Sequence, residues 1–258
     1  MSVKLNISRQ VARVTIDRPE RLNAIDVTAA ERLAAIWDEI EDNKEIRCVV
    51  LTGAGEKAFS AGADLKDSAG PSGLDYWRNK IEKQFRDLSM RSTLSVPVIA
   101  RVNGLALGGG FEMVLGCDIV IASDTAFFAL PEAKVGRVPL DGGMVTLPRI
   151  LPRNIALGMM LTGRHFSAAD MASYGLVNSV VPMAQLDSET DRWVADIISC
   201  APLSCRTIKS VARGTSNLSI HEAYAAPNEI LMAALSSEDA EEGVRAFREK
   251  RPPVWRGK

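Results

Sequence analysis

A glycine turn and two glutamates are the residues of this chain best suited to chemistry. The turn is Gly108-Gly109-Gly110, followed by Phe111-Glu112, and Pro131-Glu132 comes about twenty residues later. A glycine turn that opens a helix exposes backbone N–H donors and the positive end of the helix dipole. Such donors stabilise an oxygen that becomes negative during reaction, and two nearby carboxylates can orient a water and move its proton. The pattern therefore predicts chemistry at a carbonyl group.

The composition excludes several other kinds of function. The chain has 258 residues, of which 47% are hydrophobic and 24% charged, and its formal net charge is −1. These values are typical of a globular protein, and the net charge gives no support for binding to nucleic acid or to an anionic membrane. Residues 1–9 lack the apolar stretch of a secretory signal, and no apolar run approaches the roughly 20 residues that span a bilayer. We expect a cytoplasmic protein with neither nucleic acid nor membrane among its partners.

Cysteine and histidine give no indication of a metal site. The four cysteines have apolar surroundings and no CxxC spacing; they are Cys48, Cys117, Cys200 and Cys205. We expect them to be buried free thiols in a reducing compartment. The two histidines, His165 and His221, adjoin neither a candidate nucleophile nor each other, which argues against zinc. GxSxG, GxGxxG and GxxxxGK[ST] motifs are also missing, so we expect neither a metal nor a redox cofactor.

Short apolar runs predict the strands that position these residues. Two runs joined by Arg9-Gln10 predict a hairpin, and runs bounded by glycine or polar residues predict buried strands. The predicted strands are 4–8 and 11–16 in the hairpin, then 48–52, 98–102, 119–121 and 177–181. Strands alternate with amphipathic stretches at intervals of about fifty residues, which favours a layered α/β spiral over a solenoid of copied repeats.

Apolar residues at helical spacing predict the helices. The first is 28–40, and the second carries Trp77, Ile81, Phe85 and Leu88 after a flexible loop at 67–74. A third helix begins with Phe111 and Glu112 after the glycine turn.

Beyond Pro139 the pattern is mostly helical. Ser167 and Asp170 predict a capping box at the start of one helix. Four helices are predicted after Met183, divided near Pro202, Ser219 and Ser236, the last over 237–250. We therefore expect an α/β core with the active site over residues 1–195 and a helical region over residues 196–258.

Five motifs of the chain resemble those of the crotonase (enoyl-CoA hydratase/isomerase) superfamily. They are RPERLNAI at 18–25, KAFSAGADLK at 57–66, VIARVNGLALGGGFE at 98–112, FALPEAKVGRVPLDGG at 128–143 and AFREKRPPVWRG at 246–257. Because all five occur in the family's order and spacing and cover nearly the whole chain, the chain is identified as a member. The resemblance implies an α/β fold with a ββα spiral core and a C-terminal helical trimerisation region.

The resemblance also implies which residues are catalytic. The N–H groups of Ala63 and Gly109 would form an oxyanion hole for the thioester oxygen of an acyl-CoA as it becomes an enolate. Glu112 and Glu132 match the two hydratase glutamates, with Glu112 as the base on the C3 side and Glu132 as the source of the C2 proton. We expect one of them to have a raised pKa because of burial and the neighbouring charge. Since both are present, addition or elimination of water is favoured.

The chain departs from the common hydratase pattern after the second glutamate. Residues 139–143 are PLDGG where hydratases commonly have PGAGG, and MVT at 144–146 replaces a more polar run. Within PLDGG, Asp141 is interpreted as a turn or capping residue or as a contact to substrate. Residues 127–134 and 237–258 are similar to carnitinyl-CoA dehydratases within the family, which eliminate water from a hydroxyacyl-CoA. The resemblance leaves the identity of the acyl group open.

Family members bind CoA as part of the substrate, and the resemblance implies no other cofactor. The residues implied to bind CoA or substrate are Arg21, Ala61, Gly62, Asp64, Leu65, Lys66, Gly108, Phe247 and Lys250. Among them, Arg21 and Lys66 would contact phosphate, and Phe247 and Lys250 would reach the nucleotide bound by a neighbouring subunit. A homo-oligomer, either a trimer or a dimer of trimers, is therefore implied.

Each of these residues alone also has an ordinary structural interpretation. The glycines suit a tight strand-to-helix turn, Glu112 complements a helix dipole, and Glu132 is a solvated loop charge. Their joint occurrence in the family's order favours catalysis. The alternatives are a Δ3,Δ2-enoyl-CoA isomerase, a CoA-thioester hydrolase built on the same hole, and a non-catalytic relative that binds CoA esters or RNA. RNA binding needs a basic stripe, which a net charge of −1 does not supply.

Overall fold

The computed structural model describes residues 2–66, 73–83 and 86–258. Ten β-strands are present in these residues: β1 Val3–Ser8, β2 Val11–Ile16, β3 Cys48–Gly53, β4 Ala58–Ser60, β5 Val98–Val102, β6 Leu105–Leu107, β7 Ile119–Ser123, β8 Phe127–Ala129, β9 Phe166–Ser167 and β10 Ser179–Val181. The predicted hairpin and buried strands are confirmed, with bounds that differ by at most two residues.

The same described residues contain eleven α-helices. They are α1 Val27–Asp42, α2 Gly73–Glu82, α3 Gly109–Leu115, α4 Gly143–Ile150, α5 Arg153–Thr162, α6 Ala168–Ser173, α7 Leu186–Ser199, α8 Pro202–Gly214, α9 Ile220–Ala225, α10 Glu229–Leu235 and α11 Glu238–Glu249. Short 3-10 helices occur at Pro19–Arg21, Glu132–Val135 and Met183–Gln185. None of the helices in the described ranges is long and apolar enough to cross a membrane.

Two sheets show how the chain winds into a spiral. The larger sheet has the order β1-β2-β3-β5-β7-β10, and the smaller has the order β4-β6-β8-β9. The pairs β1–β2 and β8–β9 are antiparallel, and all other neighbouring strands are parallel. Each turn adds one strand to the larger sheet, the next strand to the smaller sheet, and then a helix. This arrangement confirms the α/β class and the ββα spiral.

The larger sheet is buried on both faces, which explains its continuous apolar strands. Side chains such as Val49 and Leu51 of β3 join a core that includes Trp37 of α1 and Phe111 of α3. The alternate residues of the same strands face a second cluster, which Leu186 and Val194 of α7 complete. The residues of β3 therefore alternate between two apolar layers, as the two-residue period of a strand requires.

Several predictions for the first half were wrong in detail. Strands β3, β5 and β7 begin at residues 48, 98 and 119, so the second turn of the spiral is much shorter than the predicted interval. The helix predicted to reach Leu88 ends at Glu82, and Leu88 lies in a turn; Phe85 lies outside the described residues. Most of the predicted loop at 67–74 also lies outside them, and its last two residues, Gly73 and Leu74, begin α2.

The C-terminal helices differ from the predicted four. Five α-helices follow Met183 in the described residues, because the chain breaks again at Pro227, which cannot continue α9. The next residue, Asn228, starts α10 by accepting a hydrogen bond from the N–H of Leu231. The capping box of Ser167 and Asp170 at α6 is confirmed. Residue 195, where the sequence places the end of the core, lies inside α7.

The cysteines have three different degrees of exposure rather than the uniform burial predicted. All are free thiols; Cys48 is buried, Cys117 and Cys205 are partly buried, and Cys200 is exposed. The prediction was wrong for Cys200 because this residue ends α7 in a surface turn, although its sequence neighbours are apolar.

Asn23 ties together the segments that lead into the site. It has no exposed surface, its amide donates to the carbonyls of Ala54 (3.0 Å) and Ala58 (2.8 Å), and its side-chain oxygen accepts from the N–H of Arg18 (3.0 Å). Its φ of 55° is left-handed, a conformation that asparagine tolerates better than most residues. These contacts join the 3-10 helix before α1 to both ends of the β3–β4 connection.

We predict that Asn23→Ala lowers the free energy of unfolding by about 2–4 kcal/mol, because buried polar backbone groups lose their partner. Urea denaturation measures the change. The matched control is Asn6→Ala, at an exposed position of β1, where a change within about 0.5 kcal/mol is expected. Equal effects of the two substitutions would contradict the role of Asn23.

Candidate active site

The glycine turn between β6 and α3 brings a backbone segment into close contact with Glu132. Gly108 caps α3 with φ 52° and ψ −129°, a conformation open essentially to glycine alone. A Cβ atom at Gly108 would lie 2.7 Å from Oε1 of Glu132. Glycine is therefore required for the backbone conformation, and the Glu132 carboxylate lies directly against the turn.

The N–H groups of Ala63 and Gly109 lie on neighbouring backbone segments. A Cβ atom at Gly62 would be 2.9 Å from the nitrogen of Gly109, and one at Gly109 would be 3.9 Å from the nitrogen of Ala63. On one side of the loop, the N–H of Ile25 donates to the carbonyl of Gly62 (2.8 Å), and the N–H of Asp64 donates to the carbonyl of Ile25 (2.9 Å). No acceptor for the N–H of Ala63 or Gly109 is found among the described residues. Two donors without a partner among the described residues therefore lie on adjoining backbone segments.

Arg18 fixes this loop, although the sequence patterns did not point to it as a functional residue. Its guanidinium donates to the carbonyl of Ala24 (2.6 Å) and forms ion pairs with Asp26 (2.9 Å) and Asp64 (3.2 Å). Asp64 follows Ala63 directly, and Asp26 also caps α1. Arg18 therefore holds the loop that presents Ala63. The RPxxxNA motif contained the signal, but only the folded chain shows which carboxylates the arginine meets.

Glu112 is a buried carboxyl group on α3. It is 2% exposed, and its Oε1 accepts a hydrogen bond of 2.7 Å from the N–H of Gly143. Burial raises the pKa of Glu112 well above its ordinary value, and the charges of Asp141 and Glu132 raise it further, whereas the Gly143 donor opposes the shift. The expected raised pKa at one of the two glutamates is therefore present at Glu112.

Glu132 begins a 3-10 helix directly after Pro131. Its Oε2 atom is buried and has no hydrogen-bond partner in the described part of the chain. Burial raises the pKa of Glu132, and the charge of Asp141 contributes to the same shift. An unpaired buried carboxylate oxygen is unfavourable, so this atom is suited to carry a proton or to accept one from a bound water.

Asp141 supplies a third carboxylate at the same place. Its Oδ1 accepts hydrogen bonds from the hydroxyl of Tyr76 and from Nζ of Lys80, both on α2. Its Oδ2 lies 3.0 Å from the position of a Cβ atom on Gly109. Burial opposes the charge of Lys80, but the charges of Asp141 and Asp87 outweigh it and raise the pKa of Lys80. Asp141 therefore lies beside the turn at Gly109, and its contact to substrate stays a prediction.

The residues expected to bind CoA fall into two groups. One group lies on the first loop and the glycine turn: Ala61, Gly62, Asp64, Leu65, Lys66 and Gly108. Arg21 is near this group, because the N–H of Ala61 donates to the carbonyl of the next residue, Leu22 (3.0 Å). Leu65 is 63% exposed and Lys66 is exposed, so both are available to a ligand. Phe247 on α11 is 85% exposed, and neither its side chain nor that of Lys250 is bonded to this group in the described residues.

In the part of the chain that the structure describes, the site therefore combines two unpaired backbone donors with three carboxyl groups, one of which forms an ion pair with a lysine. Among the described residues, no group of three or more His, Cys, Asp or Glu side chains is arranged to hold a metal ion. The two donors suit an oxygen that gains negative charge, and the carboxyl groups suit proton transfer at adjacent atoms.

Comparison with known proteins gives relatives that match along the whole chain. A sequence model of the family "Enoyl-CoA hydratase/isomerase" matches residues 6–258. A carnitinyl-CoA dehydratase of Shigella flexneri is 39% identical, and the alignment covers 100% of both chains. The crystal structure of an enoyl-CoA hydratase from Bacillus anthracis is similar with a TM-score of 0.91 at 32% identity, covering 100% of both chains. One from Mycobacterium tuberculosis has a TM-score of 0.88 at 30% identity, covering 100% of this chain and 99% of the other.

We predict that Glu112→Gln stabilises the protein at neutral and alkaline pH. Because the folded state raises the pKa of Glu112 above its ordinary value of 4.5, folded chains hold a proton that unfolded chains release. The free energy of unfolding of the native chain therefore falls as the pH rises from about 4.5 towards the folded-state pKa. Glutamine has no such proton and keeps the oxygen that accepts from Gly143.

Thermal unfolding from pH 4 to pH 9 measures this effect. The Tm difference between Glu112→Gln and the native chain is expected to grow with pH, in favour of the variant. The control Glu31→Gln replaces an exposed glutamate on α1 and should show no such trend. A glutamine variant that becomes relatively less stable as the pH rises would contradict the raised pKa.

Proposed function

The chain belongs to the enoyl-CoA hydratase/isomerase family, and we propose that it adds water to the C2=C3 bond of a 2-enoyl-CoA thioester or eliminates water in the reverse direction. The enzyme is thus a hydratase/dehydratase-type lyase. The observation that carries this proposal is the meeting of the free N–H groups of Ala63 and Gly109 with the carboxyl groups of Glu112 and Glu132. Backbone donors and two acids at one site are what water addition next to a thioester needs.

The amides of Ala63 and Gly109 hold the thioester oxygen. As a nucleophile adds at C3, electron density moves through C2 to this oxygen and the thioester becomes an enolate. Donors already in place stabilise that charge without reorganising, and loss of one such donor costs about 3–4 kcal/mol of barrier in known enzymes. The positive end of α3, which begins at Gly109, acts in the same direction.

Glu112 and Glu132 share the proton transfers. In its ionised form, Glu112 takes a proton from the water as the water oxygen bonds to C3. The raised pKa makes this carboxylate a stronger base and lowers the fraction of chains in which it is ionised near neutral pH. Glu132 gives its proton to C2, which accepts it as the enolate collapses. The pair starts and ends with one proton, now on the other residue, and exchange through solvent restores the first state. The two groups titrate as a coupled pair, which agrees with the charge of Glu132 raising the pKa of Glu112.

The same proposal covers the CoA part of the substrate. Residues Ala61–Lys66 and Gly108 would lie along the pantetheine, and Arg21 and Lys66 would contact phosphate; the exposure of Leu65 and Lys66 supports this. Neither a metal nor a redox cofactor is needed, because every step moves a proton or stabilises charge. The free thiols fit a reducing compartment, and we propose the cytoplasm.

We also propose that the region after residue 195 forms a homo-oligomer, as a trimer or a dimer of trimers. Large apolar side chains are exposed on its helices, among them Ile208, Ile220, Tyr224, Met232, Leu235 and Phe247. Such a concentration is unfavourable in water and typical of a protein interface. In the oligomer Phe247 and Lys250 would complete the CoA site of the neighbouring subunit.

We predict that Glu112→Gln and Glu132→Gln each lower the kcat for crotonyl-CoA at least about 100-fold, because each removes one proton transfer. Loss of enoyl-thioester absorbance measures hydration. Binding of CoA esters should change little, and Glu31→Gln serves as the exposed control. Near-native turnover in either variant would remove its assigned role, and double-bond migration without hydration would identify an isomerase instead.

We predict a native mass of three or six chains by sedimentation velocity. Phe247→Glu places a charge in the proposed interface and should shift the distribution towards smaller species, because a buried unpaired charge is unfavourable. Glu31→Gln should leave the mass unchanged. A monomer at micromolar concentration for the native chain would refute the oligomer.

A further inference from the structure

Two thiols lie close together at the corner between α7 and α8, which is formed by residues 199–201. Cys200 directly precedes Ala201, the N-cap of α8, and Cys205 is the fourth residue of that helix. Side chains at these two positions often pack against each other at a helix start, where both are usually apolar. The thiol of Cys205 lies within side-chain hydrogen-bonding range of the Cys200 thiol. A contact that two hydrocarbon groups usually make is thus made here by two sulfur atoms.

Contacts from two other parts of the chain hold this corner in place. The guanidinium of Arg47, which directly precedes β3, donates to the carbonyls of Ile198 (2.6 Å) and Cys200 (2.5 Å). The indole N–H of Trp255, in the C-terminal tail, donates to the carbonyl of Ser199 (2.7 Å). Because the backbone that enters α8 is held on both sides, the two thiols stay near each other, which favours a reaction between them.

The two sulfur atoms differ in their access to solvent. Cys200 is exposed and Cys205 is partly buried. Burial and the neighbouring Cys200 thiol raise the pKa of Cys205, whereas the charge of Arg47 opposes this shift. The Cys200 thiol donates to the carbonyl of Asp196 (3.3 Å), a weak bond that a reagent can displace. An external reagent therefore reaches Cys200 first, and Cys205 is placed to react second.

The other two cysteines are less suited to such a reaction. Cys48 is buried, and burial raises its pKa to about 12. Burial also raises the pKa of Cys117 to about 12. Because the thiolate is the reactive form of cysteine, both residues are expected to be inert near neutral pH. Cys48 lies near enough to Cys205 for the two thiols to affect each other, so it is the competing partner to exclude.

We propose that Cys200 and Cys205 form a modification site at which a low-molecular-weight disulfide such as oxidised glutathione joins the two sulfur atoms in a reversible bond. Cys200 releases its proton to solvent and attacks one sulfur of the reagent, whose S–S bond breaks and releases a thiolate. Cys205 releases its proton and attacks the Cys200 sulfur, which expels the second thiolate. Both thiolates take up protons from solvent. Two protein thiols are thereby oxidised by two electrons, and one reagent disulfide is reduced to two thiols.

The bond spans the junction between two parts of the molecule. On one side, α7 packs against the larger sheet through Leu186 and Val194. On the other side, α8 begins the helices that carry the exposed apolar side chains of the proposed oligomer interface. In reducing compartments, disulfides are usually transient and respond to the redox state, which agrees with free thiols in the reduced protein. The bond lies outside the proposed hydratase chemistry and is independent of it.

The test treats the native full-length protein with oxidised glutathione, then unfolds it in guanidinium chloride with N-ethylmaleimide to block the remaining thiols. Trypsin cuts after Arg192 and Arg206, so both cysteines fall on one peptide, residues 193–206. By mass spectrometry we expect this peptide to have lost two hydrogen atoms and to carry no maleimide. Treatment with dithiothreitol before blocking should restore two blocked thiols. The peptides of Cys48 and Cys117 should carry maleimide throughout.

Two serine variants separate a reactive pair from a single reactive cysteine. In Cys205→Ser the second step lacks its thiol, so Cys200 should retain glutathione as a mixed disulfide. Cys117→Ser is the matched control: it removes a cysteine outside the pair and should form the bond to the same extent as the native chain.

The outcomes are distinct. A peptide 193–206 of the native chain with both thiols blocked by maleimide after treatment overturns the proposal. Glutathione retained on either cysteine of the native chain, a bond between Cys205 and Cys48, or a bond between two chains through Cys200 overturns it as well, because each shows that the two thiols do not react with each other. An oxidised peptide that dithiothreitol restores and that Cys205→Ser does not form supports the proposal.

Discussion

The close approach of two backbone segments is the constraint on which the rest of the site depends. A Cβ atom at Gly110 would lie 2.3 Å from the carbonyl oxygen of Ser60, and one at Gly62 would lie 2.9 Å from the nitrogen of Gly109. Side chains cannot occupy such spaces, so the segments meet only where glycine is present. The parallel pairing of β4 with β6 sets their register. In this way the spiral, which places consecutive short strands side by side, brings together two amides that are far apart in sequence.

The arrangement of the carboxyl groups around these amides lowers the stability of the folded chain. Glu112 is buried beside Asp141 and Glu132, and each of these contacts opposes its ionisation. The hydrogen bond from Gly143 offsets part of this effect. A protein that needed only a stable core would place a hydrocarbon side chain at position 112. The retained acid is the kind of local destabilisation that accompanies active sites with displaced pKa values.

Much of the fold and part of the site follow from local sequence. Apolar runs identified the strands of the larger sheet, and the motifs predicted a site at Glu112, Glu132 and the glycine turn, which the fold places close together. Periodicity did not identify β4, β6 and β8, because strands of three residues are too short to show alternation. Pairings over long sequence distances, such as Tyr76 and Lys80 with Asp141 or Arg18 with Asp64, depend on how the spiral closes. No local pattern contains that information. The sequence therefore left two interpretations of Asp141 open and gave no role for Arg18.

The attachment of α2 has a thermodynamic consequence. Lys80 is the only residue of this helix that is buried, while Leu74, Trp77 and Ile81 are 44–57% exposed. The helix is thus held mainly by the hydrogen bond of Tyr76 and the ion pair of Lys80 with Asp141, rather than by apolar packing. A ligand that draws charge away from the Asp141 carboxylate must weaken the attachment of α2. Reciprocity then requires that a stronger attachment of α2 weaken the binding of the ligand. Ligand binding beside Asp141 and the docking of α2 are in this way two readouts of one equilibrium.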